Sequence, residues 1–100
     1  MAPQLLFYEN AVPVTSERHG ELAVAQRRDY GFARGAGAVP ITTAEARAAT
    51  AEFPVVFIGE GEDIGIAALL GVRDGENLFV DADGRWDAGY VPAFVRRYPF

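Results

Sequence analysis

The sequence predicts an α+β fold: an antiparallel β-meander of about four strands, covered by a capped, alanine-rich helix and a short C-terminal helix. Three observations carry this reading. Thr42-Thr43-Ala44-Glu45 is a capping box that opens an alanine-rich stretch, and Pro54 closes it. Apolar runs then recur at 55–58, 64–72, 77–80 and near 85–87, separated by Gly- and Asp-containing turns. Those connections are too short for parallel crossovers, so the strands pair antiparallel.

Taken in order, residues 5–15 read as an extended lead-in with the character of an edge strand, the only sheet position that tolerates Pro13. Ser16 to Gly20 is a polar turn, and Leu22 to Tyr30 has too little pattern for assignment. Gly31 to Val39, with three glycines, reads as a loop. The capped helix runs to about Phe53, with Ile41 stapling onto Ala46. Val55-Val56-Phe57-Ile58 is continuous and β-branched, the mark of a buried central strand. Gly59 to Asp63 is an acidic turn, and Ile64 to Val72 is the antiparallel partner. Asp74-Gly75 turns the chain into Asn77-Leu-Phe-Val80. Asp81-Ala-Asp83-Gly84 is a tight turn whose Gly84 is free to take positive φ, and Arg85-Trp86 begins the return strand. Pro92 suits the first helical position. Val91, Phe94, Val95 and Tyr98 then form one apolar face, Arg96 and Arg97 favour the helix C-terminus, and Pro99 stops it.

Composition narrows the function. One hundred residues make one domain, 1–100, with no internal repeat. Half the residues are hydrophobic, so the chain is not disordered. There is no cysteine and one histidine, which excludes a disulfide scaffold, a thiolate nucleophile and a thiolate or His-rich metal site. The net charge of −5 falls entirely on residues 51–100. A chain with that deficit is not expected to bind nucleic acid or an anionic membrane surface. The longest apolar stretch, Ile64 to Val72, is far short of the roughly 20 residues of a membrane span, so no membrane insertion is expected. No basic residue precedes the short apolar run near the N-terminus, so no secretory leader is read and the cytoplasm is the expected compartment.

Several motifs invite a chemical reading, and each has a plainer one. Gly59-Glu-Gly61-Glu-Asp-Ile-Gly65 has the wrong spacing for a phosphate loop and three acids that would repel phosphate; an acidic hairpin turn fits better. Asp81-Ala-Asp83-Gly84-Arg-Trp-Asp87 begins like a calcium loop, but its glycine is fourth rather than sixth and its twelfth residue is Pro92, so a solvated β-turn is expected. Ser16-Glu17-Arg18-His19 holds the only imidazole, in what reads as a surface turn. Arg85-Trp86, Tyr90 and Arg96-Arg97-Tyr98 could stack on an anionic or carbohydrate ligand; core or rim packing of Trp86 and Tyr90 is the simpler role. No catalytic, cofactor-binding or metal-binding residue is assigned, and no cofactor.

Three stretches carry a family resemblance. They are Val12-Pro-Val-Thr-Ser-Glu-Arg-His-Gly20, Phe53-Pro-Val-Val-Phe57, and a C-terminal series of Asn77-Leu-Phe-Val, Asp83-Gly-Arg-Trp86, Gly89-Tyr-Val-Pro92 and Arg97-Tyr-Pro-Phe100. In this order they resemble the N-terminal part of the bacterial SapC family, named for an S-layer-associated protein. The resemblance implies a bacterial protein linked by name to the cell surface, with some members encoded near outer-membrane receptor and flavin halogenase-like genes. It carries over no catalytic residue. Some members bear transporter labels, which a chain without a membrane span does not match. Members run on past Arg-Tyr-Pro-Phe, so the chain is expected to correspond to the first part of a longer family domain.

The leading functional expectation is a non-enzymatic SapC-like accessory or interaction protein of the surface layer or envelope. The alternative is a small-ligand-binding or enzymatic accessory in nutrient uptake or modification, which would need a pocket joining His19, an acid and Arg85 or Arg97. A cytoplasmic regulatory binding module is the third. A protein partner or self-association is expected, as a homodimer using the final helix or a sheet edge. The family name adds cell-surface association to the cytoplasmic expectation.

Overall fold

Apolar β-branched residues on both sides of a tight glycine turn build the centre of the molecule. In the computed structural model, which describes residues 6–26 and 28–100, Val55–Glu60 (β2) and Asp63–Leu69 (β3) form an antiparallel hairpin, closed at the Glu60–Asp63 pair. Gly61 turns the chain with φ 60° and Gly59 stands at φ 106°, conformations that glycine adopts without penalty. The other partner of β3 is Ala38–Ile41 (β1), also antiparallel, giving the order β1-β3-β2, so β3 is the central strand and the 55–58 run, read as a buried central strand, forms an edge strand with its second half exposed.

The architecture is therefore α+β with a three-stranded antiparallel sheet among the described residues, and the four-strand meander is corrected in three places. The third strand comes from 38–41, starting in the last two residues of the stretch read as a loop. Pro40 conceals it from propensity, yet an edge strand tolerates proline where the missing N–H faces outward. Leu70 N–H donates to Gly37 O at 2.8 Å, which fixes the pairing phase and turns position 40 away from β3. Second, 77–80 and 85–87 are not strands. Only the Val80–Trp86 bridge forms, because side chains replace the ladder. Asn77 Nδ2 donates to Ala33 O at 3.0 Å while its Oδ1 accepts from Phe79 N–H at 2.9 Å. Asp81 Oδ1 accepts from the N–H groups of Asp83 and Arg85, each at 2.9 Å. Third, residues 8–15 make no edge strand; residue 5 lies outside the described residues.

Helices are short. Ser16–His19 (α1) is capped by Thr15, whose Oγ1 accepts from Arg18 N–H at 3.2 Å. The capping-box helix forms as a 3₁₀ turn, Thr43–Glu45, running into Ala46–Thr50 (α2). It ends three residues before Phe53, which still donates its N–H to Ala49 O at 2.8 Å. The last helix is Ala93–Arg96 (α3), with Pro92 one position earlier than expected, at the N-cap. Its predicted face holds: Phe94 and Val95 are buried, Val91 and Tyr98 half-buried.

The core lies between one face of the sheet and these helices. Side chains alternate along a strand, so Val39, Ile41, Val55, Phe57, Ile64, Ile66 and Ala68 share a face. Val39, Ile41 and Ala68 are buried in the core with Leu70, Ala49, Phe53 and Val95. Phe53 meets Phe79 edge-on at 4.7 Å, and Trp86 stacks near Phe79 at 6.1 Å, so Trp86 is a half-buried packing residue. The cover stops at Val55 and Ile66. Beyond it, residues 57–64 are all exposed, with Phe57 at 81% although it lies on the core face.

Candidate functional site

Glu45 is the one buried carboxylate among the described residues. It occupies the third position of the capping box, four residues before buried Ala49, so it lies on the face the helix turns inward. Its Oε2 accepts from Thr42 N–H at 2.8 Å and Thr42 Oγ1–H at 3.2 Å. Its Oε1 accepts from Tyr90 Oη–H at 2.7 Å and from Ala93 N–H at 2.9 Å. One side chain therefore ties the start of the capped helix to the first turn of α3, across 48 residues of chain.

Burial pushes the Glu45 carboxyl up, but the bonds from Ala93 and Thr42 N–H, Tyr90 and the Thr42 hydroxyl together outweigh it and hold the group below its ordinary value. Tyr90 is shifted the other way. Its bond to the Glu45 carboxylate, then burial and the nearby negative charge, raise the phenol, with Arg96 opposing. The sign of both shifts is that of a fixed ionised acceptor with a neutral donor. A carboxyl that donates a proton near neutral pH would need the reverse, a pKa raised toward neutrality.

Two hollows flank this link. A cleft of about 460 Å³ runs between β1 and α3, lined by Pro40, Ile41, Thr42, Glu45, Phe94 and Arg97. A larger groove of about 930 Å³ lies between residues 23–32 and 95–100, with Arg28, Arg96 and Arg97 beside Tyr30, Phe32 and Tyr98. Phe32 and Tyr98 in its lining stack at 4.2 Å, and behind them Phe7 meets Phe32 at 5.1 Å and Phe94 at 5.5 Å. The Arg97 guanidinium sits 4.4 Å from the centre of the Phe94 ring, and Tyr8 Oη–H donates to Phe100 O at 2.6 Å.

The groups singled out in the sequence are distributed otherwise. His19 ends α1, half-buried, where its Nδ1 accepts from Thr15 N–H at 3.1 Å. It lines neither hollow, and neither does Arg85, so the His19–acid–arginine pocket is not assembled. Asp81 spends an oxygen on its own turn, and its backbone O accepts from Arg34 Nη2 at 2.9 Å. Gly84, at φ 80°, is buried in that turn and accepts from Tyr30 N–H at 2.7 Å. The described residues contain no group of three or more acids or histidines placed to hold a metal. The 59–65 segment is a hairpin turn with no helix after it.

The element order, the 53–57 strand entrance and the C-terminal series around Tyr90 are what comparison with known families can test. A family model described as SapC matches residues 14–100. The chain belongs to the SapC family. No curated protein and no solved structure matches it. Within this SapC chain the family-like residues have structural employment: Asn77 ties two loops, Trp86 Nε1–H donates to Tyr90 O at 2.7 Å, and Tyr90 reaches Glu45. Sequence reading missed the Glu45–Tyr90–Ala93 link. The capping box identified one oxygen of Glu45; the signal for the other was its i,i+4 relation to Ala49, which puts a carboxylate on a buried face and obliges it to find a second set of donors. Among the described residues, no helix is long and apolar enough to cross a membrane.

Proposed function

We propose that this SapC-family chain is a non-enzymatic accessory module that works by docking to protein of the bacterial surface layer or envelope. One observation carries the reading. The polar groups that chemistry would need hold the chain's own backbone, as Glu45, Asn77, Asp81 and His19 do, whereas large apolar side chains face solvent. Phe57 is 81% exposed and Ile64 59%, both on one face of the hairpin end. Apolar surface gathered on one part of a small protein is characteristic of an interaction site. The net charge of −5 directs that docking away from nucleic acid and anionic lipid.

A small-ligand role ranks second. It draws on the 930 Å³ groove, whose guanidinium and aromatic lining suits an anion, but the only imidazole lies outside it.

The test is co-sedimentation of the purified chain with bacterial envelope that retains its surface layer, against the same envelope stripped of that layer. The chain is expected to pellet with the first and to remain in solution with the second. Equal recovery in both supernatants removes the surface-layer reading.

A further inference from the structure

We infer that the outer edge of β2 pairs with the same edge of a second copy of this chain, around a two-fold axis at Phe57. The inference rests on the reading of the chain as an interaction module and names one of its partners.

The pairing phase of the sheet decides which backbone groups are unused. Leu69 N–H donates to Pro54 O at 2.9 Å, so residues 54, 56, 58 and 60 turn their backbone groups toward β3. Val55, Phe57 and Gly59 turn theirs the other way, to the side of β2 that no described strand pairs with. The two edges of the sheet differ. On β1, Pro40 occupies an outward position and removes a donor there, a common device against edge pairing. β2 has no proline and no cation, and its single charge, Glu60, is at its last residue. It is a six-residue, mainly apolar, unprotected edge.

The edge is also self-complementary. An antiparallel β2–β2 pair centred on Phe57 sets Val55 opposite Gly59 of the other copy and Phe57 opposite itself. Position 57 is outward-bonding, so the central pair exchanges both N–H···O bonds. Both Phe57 rings then lie on the core face, side by side across the axis, with Ile64 next to each. The exposed part of the core face thereby continues into that of the second copy, and six strands form one sheet.

The chain has apolar surface to spare. The chain exposes 7416 Å², about a third more than the roughly 5,500 Å² of a closed monomer of this mass. Its radius of gyration, 14.8 Å, exceeds the ~13 Å usual for 100 residues. Exposed residues dominate two segments, 9–26, which includes α1, and the hairpin end, 57–64.

The chain has no cysteine, so a single Phe57→Cys is an unambiguous reporter. Opposed residues at such a pair have Cα atoms ~5.5 Å apart, within disulfide range. Light scattering coupled to size exclusion is expected to show a dimer over a concentration series. Mild oxidation is expected to link Phe57→Cys and not the equally exposed control Val72→Cys. Phe57→Asp, which sets two carboxylates against each other, is expected to lose the dimer mass while keeping its circular dichroism spectrum. A monomer at every concentration overturns the inference. So does a dimer that Phe57→Asp leaves intact and Phe57→Cys does not link. A monomer that still pellets with envelope ends the dimer alone, whereas a dimer that never pellets ends the envelope reading alone.

Discussion

Glu45 concentrates more of the fold than any other side chain described, because each of its oxygens serves a different end of the sequence. Four donors converge on it, so replacing it leaves part-buried partners unsatisfied. Glu45→Gln keeps the shape but removes the charge that strengthens those bonds, and we expect a loss of about 1.5–3 kcal/mol at neutral pH. The pH dependence has a defined sign. Glu45 ionises more easily folded than unfolded, so its contribution is present above the unfolded value and disappears as the pH falls through the lowered folded value. Tyr90 is raised, so its contribution is complete below the unfolded value near 10 and is lost as the pH rises through the higher folded one. Chemical denaturation from pH 7 downward should therefore show an acid-side loss that Glu45→Gln flattens. Tyr90→Phe should cost about 1 kcal/mol and shrink that loss by returning the carboxyl toward its ordinary value. An unchanged acid limb in Glu45→Gln would place the acid sensitivity elsewhere.

At the level of elements, local signals were legible where the residues themselves decide the conformation. The capping box, the 55–58 and 64–72 runs, the glycine turns and the apolar face of 91–98 all appear close to where the sequence puts them. What escaped depends on partners distant in sequence. β1 contains proline and follows three glycines, and it exists because β3 has a second edge to satisfy. The 77–87 region alternates like a strand pair but is folded by Asn77 and Asp81, residues that compete for backbone bonds wherever they fall. The Glu45 site was half legible for the same reason: its Thr42 side is three residues away, its Ala93 side 48. Asn77 tests this account. It is buried and ties the Ala33 carbonyl to the Phe79 amide, so Asn77→Ala should cost about 2 kcal/mol and speed hydrogen exchange at Phe79. Exchange at Phe79 as slow as in the wild type would mean that the Val80–Trp86 bridge holds this segment unaided.

For the whole molecule, the decisive quantity is how little surface the chain removes from water alone. An unfolded chain of this mass exposes about 15,700 Å², so 7416 Å² in the folded state means that little more than half is buried, against about 65% for a closed domain of this length. Heat capacity of unfolding and urea sensitivity both scale with that buried area. In dilute solution the heat-capacity change should therefore fall about a fifth below the ~1.2–1.5 kcal/mol/K usual for 100 residues. Pairing of β2 edges alters this in a way that a monomer cannot. Each copy then removes further apolar surface, from Phe57 and Ile64 first, and the folded state gains from mass action. Where the dimer dominates, a tenfold rise in protein concentration should lift the melting temperature by about 3–5 °C, because half of RT ln 10 accrues to each chain. Added salt should help, since two copies of net charge −5 repel one another. Calorimetry across a hundredfold concentration range measures both quantities at once. A full-sized heat-capacity change with a constant melting temperature would show that exposed segments, the hairpin end or residues 9–26, fold back and close the core within one chain.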